Sequence, residues 1–309
     1  MQKKKKTIIV TAVCVVLAIL LVILPLAAVI LYHAVFFRQC ENSSGMEFSV
    51  EEDGSLQVER SDFQSEDVTL AGYQYSKSGQ VVKGIIVIAP DFGGSHDPYM
   101  AWIDYFTSNG YDVFTYDVRG CGNSGGASAK GVPQGLIDLD NAIHHISAIE
   151  EYRGLPCALF GYSWGGYSVG NVLNMHPEVK AAVVVAGFYK SGDFMLYQGR
   201  RMIGGAADIL MPYVKLYEKI RFGSEFTSVS ATEGMEKTEA GVMIIQGGND
   251  TTVPAKCGYD QAYEMFGELD RFEFVLYDER GHGDLLGFPE PDTALMERVL
   301  EWYDAYCAG

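Results

Sequence analysis

The sequence is poor in positive charge. Its 309 residues hold 23 Lys and Arg against 40 Asp and Glu, a net charge of −17. That excludes a nucleic-acid binder, which needs Lys and Arg to neutralise phosphates. No C-x-x-C and no Cys/His ligand spacing occurs among the 6 cysteines, so no metal site is expected. There is no internal repeat. From Thr7 to Phe37 there is no Asp, Glu, Lys or Arg at all. Such a run exceeds the roughly 20 residues that cross a bilayer core. A cleavage signal is also lacking. A secretory signal has an apolar region of only about 7–15 residues and ends at small residues. Here Tyr32-His33-Ala34-Val35-Phe36-Phe37 offers no A-x-A-like site, and Gln39-Cys40 follows no lipoprotein-type small residues. The reading is an uncleaved transmembrane anchor over 7–33, which Pro25 is placed to kink.

The four lysines Lys3 to Lys6 precede this run, and Arg38 alone follows it before Glu41. Lys and Arg favour the cytoplasmic side. Residues 1–6 are therefore expected to be a cytoplasmic tail and residues from about 38 onward an extracytoplasmic part, single-pass in the cell membrane. Without the first 32 residues, 19 basic face 40 acidic residues, a balance of −21. Anionic headgroups should repel such a domain. Five cysteines lie outside the apolar run (Cys40, Cys121, Cys157, Cys257, Cys307). An outside domain permits a disulfide, but an odd number cannot all pair within one chain, and no essential bridge is expected.

Residues 34–66 are largely polar and acidic, with Asn42-Ser43-Ser44-Gly45 and Glu51-Glu52-Asp53-Gly54, and read as a stalk and lead-in. From 67 to 309 strands and helices alternate. Strands are expected at Val68–Tyr75, Gly84–Ala89, Tyr111–Tyr116, Cys157–Phe160, Val179–Ala186, Val242–Gln246 and Phe272–Tyr277. Helices are expected at Pro98–Asn109, Gln134–Tyr152, Trp164–Met175, Ala255–Phe266 and Pro291–Tyr306. The second of these carries Leu136, Leu139, Ile143, Ile146 and Ile149 at helical spacing. Continuous apolar strands between helices mean a mostly parallel sheet covered on both faces, an α/β architecture. Residues 189–240 exceed any ordinary connection. They read as an inserted helical cap, with helices at Met202–Leu210 and Tyr213–Ile220.

One pentapeptide carries chemistry. Gly161-Tyr162-Ser163-Trp164-Gly165 fits G-x-S-x-G, with Gly166 behind it, a strand before it and a helix after it. So tight a turn drives its central residue towards positive φ, at a cost of about 1–3 kcal/mol. The residues two before and two after must be small, because strand and helix backbones converge there. A serine hydroxyl needs a base, and the base an orienting acid. After the next-to-last strand stands Gly248-Asn249-Asp250, and after the last Gly281-His282-Gly283-Asp284. Asp250 and His282 thus lie at the same sheet edge as Ser163, in the order Ser, Asp, His. Asp193 competes with Asp250 for the acid position. Asp284 reads as a turn or cap residue.

These motifs, with the loop Asp117-Val118-Arg119-Gly120-Cys121-Gly122-Asn123-Ser124 and the turn ending at Val253-Pro254, resemble the α/β-hydrolase fold family over about residues 68–307. Within it the likeness is to the serine-aminopeptidase and monoacylglycerol-lipase-like branch. The resemblance implies a sheet of about eight strands, the first antiparallel, with Ser163 as nucleophile, His282 as general base and acid, and Asp250 as its orienting partner. By position, the backbone N–H groups of Phe92 and Trp164 form the oxyanion hole. One departure stands out. The family carries His-Gly after the strand ending at Ala89, whereas this chain has Pro90-Asp91-Phe92-Gly93-Gly94. If the Asp91 carboxylate points inward it slows acyl transfer; if it bonds the loop it only shapes it.

The expected function is that of a membrane-anchored serine hydrolase acting on a small-molecule acyl substrate, an ester, thioester or amide. No cofactor and no metal is called for. The alternatives are an aminopeptidase-type peptidase and a non-catalytic binding domain on the same fold. The Asp117–Ser124 loop lacks the Lys-Ser/Thr ending of a nucleotide-binding loop. Arg119 is expected to be structural, His96 a solvent-exposed loop residue, and His144 and His145 helix residues without visible partners. Phe194, Tyr197, Tyr213 and Tyr217 either line an acyl pocket or pack the cap onto the sheet.

Overall fold

In a computed structural model, residues 2–37, 55–287 and 292–307 are described. The expected stalk residues 38–54 lie outside them. The apolar run forms α1 (Gln2–Ala18), a π-helical turn (Ile19–Ile23) and α2 (Leu24–Phe36). The wide turn comes just before Pro25, whose missing N–H breaks the regular ladder. Over Lys3–Phe36 it is one helix long and apolar enough to cross a membrane by length and composition.

The strands are β1 (Leu56–Arg60), β2 (Phe63–Ser65), β3 (Val68–Leu70), β4 (Gly72–Lys77), β5 (Gly84–Ala89), β6 (Tyr111–Tyr116), β7 (Cys157–Tyr162), β8 (Ala181–Val185), β9 (Gly241–Gly247) and β10 (Phe272–Tyr277). Among the described residues, eight of them form one sheet in the order β1-β4-β6-β5-β7-β8-β9-β10. β1 and β4 pair antiparallel, β4 meets β6 antiparallel, and the remaining neighbours are parallel. β2 and β3 make a separate ribbon. The helices of the domain are α3 (Met100–Ser108), α4 (Val132–Ser147), α5 (Trp164–Val172), α6 (Ser191–Ile203), α7 (Ala206–Phe222), α8 (Ser224–Thr227), α9 (Ala231–Lys237), α10 (Tyr259–Phe266) and α11 (Thr293–Cys307).

β5, β8 and β9 are buried along their whole length, as continuous apolar strands covered on both faces must be. One core lies under α4, α5, α9 and α10, and the other under α3 and α11. Several expectations need correction. The 34–66 segment is divided: residues 34–36 continue the apolar helix, and Leu56–Ser65 belong to the folded domain. β1 is exposed at four of its five positions, so it shows no apolar alternation to read. The expected strand Val68–Tyr75 is broken between β3 and β4. In the cap, the helix boundary falls at Gly204, with φ 58°, and not beside Pro212, which lies inside α7. Gly204 adopts a left-handed conformation that costs glycine little, whereas Pro212 costs α7 one hydrogen bond. Cys121 is disulfide-bonded, against the expectation for the cysteines.

Candidate active site

Ser163 sits between β7 and α5, with φ 57° and ψ −112°. This is the strain that the turn demands of a non-glycine residue. The neighbouring glycines are explained by contact. A Cβ on Gly161 would lie 2.3 Å from Gly165 O, and one on Gly165 only 2.0 Å from Ala89 O. Either side chain would push the elbow off the sheet, and Gly165 presses it against the loop after β5.

Three side chains from three strand ends converge there. His282 Nε2 is 2.9 Å from Ser163 Oγ, and His282 Nδ1 is 2.6 Å from Asp250 Oδ2. The Asp250 side chain is fully buried, and that of His282 is 19% exposed. Asp250 is held from behind. Its Oδ1 accepts the N–H groups of Thr252 and Val253, each at 2.8 Å. The buried Gln246 amide lies 3.5 Å from Oδ2 and donates to Val253 O at 3.0 Å. The His282 loop is held by Tyr162, whose hydroxyl donates to His282 O at 2.7 Å while its ring packs 5.0 Å from the imidazole. Asp284 accepts the Gly281 N–H at 3.2 Å, as a turn residue does. Asp193 is instead exposed on α6, 3.9 Å from Lys215.

The loop after β5 carries Asp91 and Phe92. The Phe92 ring lies 5.4 Å from that of Trp164 in an edge-on contact, so the two residues stand side by side at the elbow. Trp164 is the first residue of α5, where the N–H has no partner within the helix. Asp91 bonds the loop: its N–H donates to Tyr99 Oη at 3.1 Å, and the Tyr99 hydroxyl lies 3.4 Å from Asp91 Oδ1. Burial raises the Asp91 carboxyl above its ordinary pKa, although the Tyr99 hydrogen bond works the other way.

The remaining candidates are structural. Arg119 is fully buried and donates to Asp67 at 2.9 Å and Ser65 O at 2.7 Å, tying the β2–β3 ribbon down. His96 is not a free loop residue: its Nδ1 is 2.7 Å from Asp117 Oδ1, and its ring packs 3.9 Å from Tyr73. Burial alone would raise the Asp117 carboxyl, but His96, the Asn123 N–H and Tyr73 outweigh it and hold it low. The helix histidines do have partners. His145 Nε2 is 2.8 Å from Ser61 Oγ, and burial lowers its pKa. His144 lies in a cluster with Asp140 and His176. Both His176 nitrogens are already engaged, by Asp140 at 2.9 Å and Glu178 at 2.7 Å, so the cluster reads as an ion-pair clasp between α4 and the loop after α5. Among the cap aromatics, Phe194 stacks on Phe188 at 3.9 Å and Tyr197 donates to Thr251 O at 3.0 Å. Tyr213 packs against the core, and Tyr217 meets α2.

The solved esterase Pf2001 of Pyrococcus furiosus superposes with a TM-score of 0.65 at 18% identity, over 88% of this chain and 98% of that one. With the sheet order and the strand-to-helix elbow, this decides the architecture. The chain has the α/β-hydrolase fold. The α/β-hydrolase domain also matches the acylaminoacyl peptidase of Pyrococcus horikoshii, with a TM-score of 0.59 and 16% identity, over 82% of this chain and 42% of that one. The family described as serine aminopeptidase, S33 matches residues 80–228. Monoglyceride lipase of Saccharomyces cerevisiae (strain ATCC 204508 / S288c) is 26% identical over 144 residues, 45% of each chain. The chain thus aligns with under half the length of that curated relative, and it resembles the serine-aminopeptidase and monoglyceride-lipase-like branch.

Proposed function

We propose that the chain is a membrane-anchored, extracytoplasmic serine hydrolase that cleaves a carboxylic ester or a related acyl bond. Ser163 Oγ attacks the acyl carbonyl as His282 Nε2 takes its proton. Asp250 keeps the other ring nitrogen protonated and stabilises the imidazolium. The Phe92 and Trp164 N–H groups hold the oxyanion. His282 returns the proton to the leaving alkoxide, and water, deprotonated by the same histidine, releases the acyl group. The observation that carries this reading is the unbroken relay from Ser163 Oγ through His282 to Asp250, at 2.9 and 2.6 Å, on a strained elbow.

An ester is favoured over a peptide amino end. Three cap acids are not free to hold an ammonium: Asp193 faces Lys215, Asp208 pairs with Arg200, and Glu218 is buried. The orientation rests on Lys3 to Lys6 at the inner end of the helix. The disulfide at Cys121 suits an oxidising outer compartment. Labelling with a fluorophosphonate probe tests the chemistry. Wild type is expected to label and Ser163→Ala to stay blank at full fold. A folded wild type that does not label would support the non-catalytic alternative.

A further inference from the structure

A plain membrane tether needs only to be apolar. The outer end of this one is built as part of the domain. Along α2, Ala28, Tyr32 and Phe36 recur every fourth residue and are buried, while Leu26, Ile30 and Leu31 on the other face stay exposed. The buried face joins the core cluster that holds Val132, Trp164, Met211, Val214 and Phe222. About 20 residues from Thr7 cross a bilayer core, which ends the span near residue 26. The docked face begins at Ala28, within a turn of where such a span would end.

Polar contacts fix the register of this packing. The Tyr32 hydroxyl donates to Glu218 Oε1 at 2.9 Å, and Ser191 Oγ donates to the same buried carboxyl group at 3.0–3.1 Å. His33 Nε2 lies 2.6 Å from the Tyr217 hydroxyl. A Cβ on Gly131 would come 1.8 Å from Tyr32 Oη, so the start of α4 leaves room for this tyrosine. Beyond it, the Phe36 ring meets Phe92 edge-on at 5.6 Å, and Phe92 meets Trp164 at 5.4 Å. Phe92 is itself 45% exposed, so little else packs it in place.

We infer that the outer end of the apolar helix is a wall of the Ser163 site, in which Phe36 is a positioning residue that holds Phe92, and with it the oxyanion loop, against Trp164. Tyr32 sets the depth at which Phe36 arrives. The inference rests on the hydrolase reading, since the loop it positions is the one given the oxyanion role. Displacing such a loop by about an ångström costs on the order of 10- to 100-fold in rate.

The test uses the full chain in lipid nanodiscs. Phe36→Ala should lower kcat on a short water-soluble ester roughly 10- to 100-fold, with Phe36→Leu recovering part of the loss. Titration with a fluorophosphonate should still count one competent serine per chain, labelled more slowly. Gly131→Ala, which pushes on Tyr32 from the far side, should slow labelling in the same way. Labelling at the wild-type rate, whether of all chains or of a smaller folded fraction, overturns the inference and leaves the helix a tether. If wild type itself fails to label, the hydrolase reading falls. Amide exchange of residues 91–95 then decides the wall: faster exchange in Phe36→Ala supports it, and unchanged exchange overturns it.

Discussion

Replacing Asp250 by Asn should disable the site without disturbing its shape. Asp250 Oδ1 faces two backbone donors, the N–H groups of Thr252 and Val253, each at 2.8 Å. In Asp250→Asn the side-chain amide oxygen must keep that place, because turning it away would set N–H against N–H. The new NH2 group then falls where Oδ2 stood, 2.6 Å from His282 Nδ1. It can only donate, so Nδ1 must accept, and the ring proton moves to Nε2. There it points at Ser163 Oγ, 2.9 Å away. A protonated Nε2 cannot take the serine proton. The same change in a serine-protease triad lowers kcat by about 10⁴, which is roughly 5 kcal/mol in the barrier. The loss should appear equally in ester turnover and in fluorophosphonate labelling rate, with an unchanged melting temperature. A variant within tenfold of wild type would refute the assignment of Asp250 and reopen the question of the acid.

The other expectations concern stability. Arg119→Met removes a fully buried guanidinium and leaves Ser65 O and the buried Asp138 without it. Breaking a buried pair in this way costs about 3–5 kcal/mol, read as a large fall in chemical denaturation midpoint; a shift within error would show that the ribbon is held by other contacts. Burial raises the Glu218 carboxyl from 4.5 to about 7, against the Tyr32 and Ser191 hydrogen bonds and the charge of Lys215. Between those values the folded state binds more protons than the unfolded one, so stability is greatest at low pH and is lost as pH rises through about 7. The loss amounts to roughly 3 kcal/mol. Glu218→Gln should flatten that part of the melting profile between pH 5 and 8; parallel profiles for the two proteins would contradict it.

Much of the architecture was legible because it rests on short-range rules. The missing charges from Thr7 to Phe37 announced the long helix, and apolar runs without alternation announced the buried strands. The edge strand β1 escaped notice because its side chains face water on nearly every position. The helix break in the cap was misplaced because Pro212 is the stronger local signal, yet Gly204 is where the chain turns left-handed. His96 and His145 looked solitary because their partners, Asp117 and Ser61, lie 21 and 84 residues away.

The elbow at Ser163, the glycines around it and the chain order of serine, aspartate and histidine can all be read from the residues alone. Those follow from backbone crowding within a few residues and from strands ending at one edge. That Tyr99 holds Asp91, that Tyr162 holds the His282 loop and that Phe36 reaches Phe92 follows from the folded arrangement instead. Each of these contacts joins separate elements whose side chains meet only after the sheet has formed and the helix end has docked. Neither periodicity nor local propensity records such a meeting, because its energy belongs to the packed pair and not to either segment.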